Sequence, residues 1–209
     1  MQYFKHLARP RHSTTIKDLS FQKIKNKSRI KIFHQNIQHL VSRTDPLSIV
    51  LDELGPDIIV ITEHCMKVDE IEAIHIEDYV IRSMYCRSST KGGGVVIMSK
   101  ESVKWSKVVI PSVNLLLKDK EFECCFTQFL ADNNNFLLIG IYQSPSSKLQ
   151  LFFEKLNSML GIVTKKYKNI FILGDININV IGKGHEVREF ENILNSYGMR
   201  YLELSRFSN

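Results

Sequence analysis

The sequence contains little that would mark it as a secreted, membrane or fibrous protein. Its four cysteines, Cys65, Cys86, Cys124 and Cys125, show no C-x-x-C spacing. Neither a zinc site nor a disulfide framework is suggested, and a reducing compartment fits best. Ten glycines and five prolines in 209 residues exclude a collagen-like or low-complexity chain. Apolar runs are too short to span a bilayer. The opening Met1-Gln2-Tyr3-Phe4-Lys5-His6 lacks the apolar core of a signal peptide, so the expectation is an intracellular protein that is not secreted. What is present is 44% hydrophobic residues in a length suited to one domain, enough to bury a core without metal or disulfide staples.

Twenty-eight basic residues against 22 acidic ones give a net charge of +6. Such a surplus favours encounter with polyanions, nucleic acid first. It is uneven. Residues 1–29 hold Lys5, Arg9, Arg11, Lys17, Lys23, Lys25, Lys27 and Arg29 against the single acid Asp18, with little sustained apolar periodicity. They are expected to form a disordered basic leader adding non-specific nucleic-acid affinity, ahead of a folded domain over 30–209.

From Ile30 onward, apolar runs alternate with turn signals. Strands are expected at Ile30–Gln35, Asp57–Thr62, Tyr79–Met84, Gly93–Met98, Val103–Ile110, Glu121–Leu130, Phe136–Tyr142, Asn169–Leu173 and from Arg200 to Leu204. Helices are expected from Asp45 to Leu54, capped by Thr44 or Asp45 and stopped by Gly55-Pro56, from Lys148 to Lys165, and from Glu186 to Tyr197. Strand-helix-strand, then a block of antiparallel strands, then helix-strand-helix implies an α/β fold of two packed mixed sheets with helices outside.

Several apolar strands end in a polar residue, and clefts form outside strand ends in layered sheets. Glu63 follows Val60-Ile61-Thr62 and suits a hard cation such as Mg²⁺. Asp175 and Asn177 are two apart, so in extended geometry they face one substrate, and Gly174 lets a ligand or backbone approach closely. Taken singly, each has an ordinary explanation: a turn or helix cap for Glu63, an Asx-turn for Gly174-Asp175-Ile176-Asn177, a strand-end aromatic for Tyr142. His64 reads as a neighbour of the cleft or an exposed side chain, His34 as a core residue, His185 as solvated, and the cysteines as small buried hydrophobes.

The order of these residues resembles a family. Asn36 in His34-Gln35-Asn36-Ile37-Gln38, Glu63 in Ile61-Thr62-Glu63-His64, the run Gly92-Gly93-Gly94-Val95-Val96-Ile97, Tyr142 in Ile141-Tyr142-Gln143-Ser144-Pro145, and Gly174-Asp175-Ile176-Asn177 follow the pattern of the endonuclease/exonuclease/phosphatase superfamily. Gly-Gly-Gly-Val and Tyr-x-Ser-Pro look most like the apurinic/apyrimidinic-type endonuclease domain of non-LTR retrotransposons. The resemblance implies a four-layer α/β/β/α sandwich that nicks DNA phosphodiester bonds with Mg²⁺ or Mn²⁺. It further implies that Glu63 holds the metal, that Asn36 beside it positions metal and phosphate, that Tyr142 hydrogen-bonds the phosphate, that Asp175 orients or deprotonates the attacking water and that Asn177 stabilises the phosphorane. Cutting genomic DNA would imply nuclear access.

The sequence departs from the family pattern at two places. Position 143, often basic in relatives, is Gln143. The family's Ser-Asp-His motif has no counterpart after Asn177, where the sequence closes on Ser205-Arg206-Phe207-Ser208-Asn209. The expectation is a domain incomplete at its C-terminus, with its last strands missing and a sheet edge left open. Two other readings stay open. One is a catalytically silent remnant that at most binds nucleic acid; the other is a phosphoesterase of the same fold acting on inositol or lipid phosphates.

Overall fold

Residues 2–6, 15–18, 30–178 and 184–201 are described in the computed structural model of the chain. In order they form β1 (Gln2–His6), β2 (Thr15–Asp18), β3 (Lys31–Asn36), α1 (Thr44–Leu54), β4 (Ile58–Thr62), α2 (Val68–Ala73), β5 (Tyr79–Tyr85) and β6 (Val95–Lys100). There follow β7 (Trp105–Lys107), α3 (Pro111–Asn114), β8 (Glu123–Ala131), β9 (Asn134–Tyr142), α4 (Leu149–Lys166), β10 (Ile170–Asp175), α5 (His185–Ser196) and β11 (Met199–Tyr201). One sheet runs β11-β1-β10-β9-β8-β7 and the other β2-β3-β4-β6-β5.

Three separate apolar layers explain why these two sheets stack. Ile32, Ile58, Val60, Val95 and Ile97 of one sheet meet Cys125, Phe129, Leu138, Tyr142, Phe171 and Leu173 of the other between the sheets. The outward face of the first sheet, Phe33, Ile59, Ile61, Val96 and Met98, buries Leu47 and Leu51 of α1 and Ile71 of α2. The opposite outward face, Cys124, Phe126, Leu137, Ile139, Ile141, Ile170 and Ile172, buries Phe152, Phe153, Leu156 and Leu160 of α4 with Phe190 and Leu194 of α5. A strand with apolar residues on both faces must be covered on both, which is why β4 and β10 are buried end to end. The result is the expected four-layer sandwich.

Local differences from the sequence reading have physical causes. Helix α1 has Arg43 at its N-cap and no side-chain cap. A 3-10 turn at Val41–Arg43 feeds it directly, and the Thr44 hydroxyl donates back to Leu40 O at 3.1 Å instead of capping forward. At its other end Gly55 is left-handed and donates to Leu51 O at 2.7 Å, as expected. The predicted strand from Val103 to Ile110 is only the three exposed residues of β7, with three further residues leading to Pro111, which opens α3. Helix α2 was too short and too charged to leave a periodic signal, burying only Ile71; the Lys67 N–H donates to Glu70 Oε2 at 2.6 Å at its start.

Two stretches of residues 1–29 are strands. Within residues 1–29, Gln2–His6 pairs in parallel with β10 and β11, and Thr15–Asp18 pairs antiparallel with β3. Backbone N–H and C=O groups along a strand seek partners, and a short added strand meets that need without a periodic apolar pattern. Neither β3 nor β10 is therefore left as an open edge. The rest of the leader, at 1, 7–14 and 19–29, lies outside the described residues. So does the remainder of the strand predicted from Arg200 to Leu204, whose first two residues lie in β11, and with it Ser205–Asn209.

Candidate active site

Parallel pairing aligns strand ends. β3 and β4 run parallel, with Asn36 opposite Thr62 and Glu63 one residue further on. β9 and β10 run parallel in the other sheet, with Tyr142 opposite Asp175. The C-terminal ends of both pairs lie together, and four side chains meet across the sandwich. Asn36 Nδ2 donates to Glu63 Oε1 at 3.0 Å and to Asp175 Oδ2 at 2.5 Å. The Tyr142 hydroxyl donates to the same Glu63 Oε1 at 2.7 Å. Asp175 and Tyr142 are 3% exposed, so these contacts are partly shielded from water. Burial first, then the Glu63 charge and hydrogen bond, push the Tyr142 phenol well above its ordinary value. The hydroxyl therefore stays a donor.

Glu63 is held by an unusual backbone. It has φ 56° and Cys65 has φ 61°, a left-handed region that non-glycine residues seldom occupy. The Glu63 N–H donates to Gly94 O at 2.9 Å and the Cys65 N–H to Gly93 O at 2.8 Å, which fixes this turn against the Gly-Gly-Gly run. His64 lies between them, fully buried rather than exposed. Its Nδ1 accepts from the Met66 N–H at 3.1 Å, and its Nε2 faces Tyr85 O at 3.1 Å. An acceptor on one ring nitrogen and a donor on the other require the neutral imidazole. Burial, partly offset by the Tyr85 carbonyl, lowers its pKa accordingly.

Gly92, Gly93 and Gly94 all have φ between 65° and 89°, which explains their residue type. Space adds a second reason. A Cβ on Gly93 would stand 2.3 Å from the Arg87 guanidinium, and one on Gly94 2.3 Å from the His64 ring. At Gly174 the close approach is to backbone, since a Cβ there would lie 1.7 Å from Ile141 O.

Asn177 departs from the extended geometry expected of it. β10 ends at Asp175, and Asn177 has φ 50°, so strand alternation does not set its direction. Its N–H donates to Asp175 Oδ1 at 3.0 Å and its Nδ2 to Gln143 O at 2.6 Å. The turn thereby anchors one oxygen of Asp175 and ties β10 to the segment after Tyr142. Gln143 is buried. His34 is buried with its Nε2 3.3 Å from the Thr62 hydroxyl, while His185 is exposed; Cys124 and Cys125 are buried, and Cys65 and Cys86 are half-buried.

Two residues escaped the sequence reading. Glu123, wholly buried at the start of β8, is the register partner of Tyr142. Arg87, just past β5, places Nε and Nη2 each 2.6 Å from Glu123 Oε1. An acid at the mouth of the apolar stretch Cys124-Cys125-Phe126 was the available signal, since charge in such a place needs a buried partner.

Among the described residues no group of three or more His, Cys, Asp or Glu side chains is spaced to hold a metal. The donor set at the strand ends is instead two carboxylates and an amide. Asn36 Oδ1 is buried there without a hydrogen-bond partner, beside Glu63 and Asp175. An oxygen-only set with one or two carboxylates fits a cation such as Mg²⁺, which keeps several of its waters.

No family model matches the sequence, and no curated protein matches it. Solved structures do. D. rerio TDP2 with single-strand DNA product is similar over 78% of this chain and 64% of that one, at 17% identity and a TM-score of 0.58. A single-residue variant of the 3' phosphatase NExo from Neisseria, bound to product DNA hairpin, is similar over 79% and 70%, at 17% identity and a TM-score of 0.54. The endonuclease domain of TRAS1, a telomere-specific non-LTR retrotransposon, is similar over 81% and 71%, at 12% identity and a TM-score of 0.58. The chain thus spans just under two thirds of the TDP2 chain. At these identities the likeness is one of fold.

Proposed function

We propose that this chain, which has the endonuclease/exonuclease/phosphatase fold, hydrolyses DNA phosphodiester bonds with Mg²⁺ or Mn²⁺, as a nicking endonuclease of non-LTR retrotransposon type. The observation that carries this reading is the meeting of Asn36, Glu63, Tyr142 and Asp175 through contacts of 2.5–3.0 Å at the aligned ends of four strands from two sheets. Glu63 and the oxygen of Asn36 are the groups to hold the cation. A divalent ion there would supply positive charge against the charge that builds on the phosphate.

The chain's own residues do the rest. Tyr142, kept protonated by burial and by Glu63, turns its single O–H from Glu63 to a non-bridging phosphate oxygen when the substrate is bound. Asp175 has one oxygen held by the Asn177 N–H. With the other it orients an attacking water and accepts its proton. The Asn177 amide has two N–H groups; one is on Gln143 O, and the second is the donor for the phosphorane. The net charge of +6 supports encounter with DNA, the ligand named for the TDP2 and NExo structures. Action on genomic DNA would place the chain in the nucleus.

Nicking of supercoiled plasmid in Mg²⁺ tests this directly. The wild-type chain should convert it to open circles, and Glu63→Ala and Asp175→Ala should each lower the rate by at least about 10²-fold. A folded chain that retains DNA in a salt-dependent way yet never nicks it would replace this reading with that of a silent nucleic-acid-binding chain. Mg²⁺-dependent release of phosphate from an inositol or lipid phosphate, without nicking, would move the substrate to that class.

A further inference from the structure

Beside the four converging side chains lies a second polar cluster, centred on a buried carboxylate. Glu123 is fully buried and accepts from every side. Oε1 takes the Arg87 Nε and the Lys120 N–H, at 2.6 and 2.8 Å, and Oε2 takes the Gly94 N–H at 2.8 Å. Arg87, 6% exposed, is too enclosed to reach DNA. Its Nη1 donates to Lys91 O at 3.0 Å, closing the loop that leads into Gly92–Gly94. Its guanidinium carbon stands 5.9 Å from the centre of the Tyr142 ring.

The geometry points to the Arg87–Glu123 pair as the positioning device of the site. Glu123 pins the Gly94 amide; Gly94 O and Gly93 O then receive the Glu63 and Cys65 amides, so the left-handed turn presenting the Glu63 carboxylate is anchored on Glu123. Glu123 is also the strand partner of Tyr142, and Arg87 stands by that ring, so the same pair places the hydroxyl that meets Glu63. A strained turn persists only when its surroundings over-determine it. Here they do so through a charge pair whose separation leaves an uncompensated buried charge. Arg87 and Glu123 are positioning residues, acting through Glu63 and Tyr142. Their bearing on catalysis rests on the reading under Proposed function, but the anchoring itself does not.

Hydrogen exchange separates the two. In Glu123→Gln the amides of Glu63, Cys65 and Gly94 should exchange about 10-fold faster or more, while amides in the centres of β9 and β10 keep their wild-type rates. If the single variant does not fold, Arg87→Met with Glu123→Gln removes both charges together and should show the same selective loosening. Unchanged exchange in the turn, or acceleration shared equally by β9 and β10, would overturn the proposal and leave a merely structural ion pair. In the nicking assay the variant should lose turnover about 10-fold or more with little change in KM for plasmid, as expected when transition-state contacts alone are misplaced. A wild-type chain that never nicks would remove the nuclease reading, while the exchange result would still decide whether Glu123 anchors the Glu63 turn.

Discussion

At the scale of single residues, the site contains two polar groups whose settings assign them different work. Tyr142 has its pKa raised by burial and by Glu63, so it remains a donor at neutral pH. Tyr142→Phe keeps the ring beside Arg87 and removes only the hydroxyl contact to Glu63. It should leave thermal stability close to wild type and reduce the nicking rate by about 10²-fold, the usual loss for one transition-state donor. An undiminished rate would remove Tyr142 from the machinery. His64, adjacent to Glu63 in sequence, is instead a neutral internal strut between Met66 N and Tyr85 O. Adjacency in sequence told nothing about this: His64 is wholly buried, while the half-buried Glu63 meets Asn36 and Tyr142.

Among the elements, the connection from β5 to β6 carries much of the site's definition. Asp119 fastens its first part, accepting from the Tyr85 hydroxyl at 2.8 Å, the Ser89 N–H and hydroxyl at 2.8 and 2.7 Å, and the Thr90 N–H at 3.2 Å. Burial alone would raise this carboxyl, but the donors outweigh it and hold it down at about 2. The folded value lies below the ordinary 3.8, so the anchorage is complete above that value and is lost as pH falls through about 2. The Ser89 and Thr90 amide resonances should therefore hold their positions down to about pH 3 and titrate with a midpoint near 2. A midpoint at the ordinary carboxylate value would mean that the four contacts do not form in solution. The helices and long strands were legible beforehand because their apolar spacing is periodic, as α4 shows with Phe152, Leu156, Met159 and Val163 on one face. Helix α2 and the short strands β1 and β2 were not, since four to six residues carry too few repeats to reveal a period.

Over the whole molecule, the surplus of six positive charges predicts a binding mode rather than a fold. DNA retention should fall steeply with salt; a footprint of about four phosphates would give a log–log slope near −3.6 and roughly a 150-fold loss between 50 and 200 mM. A flat salt response would set the basic charge aside as ordinary surface. The sandwich itself followed from the chain pattern: apolar runs on both faces of β4 and β10 require cover on both sides, and that need is written residue by residue. The order of Asn36, Glu63, Tyr142 and Asp175 was likewise readable, because each closes an apolar strand. Only the tertiary structure decided that their strands end at one place, that Asn177 turns aside to Gln143, and that Glu123 and Arg87 stand behind Glu63 and Tyr142. Periodicity is a property of neighbours along the chain. The meeting of residues 36, 63, 87, 123, 142 and 175 depends on strand order and register, which backbone pairing sets without regard to distance in sequence.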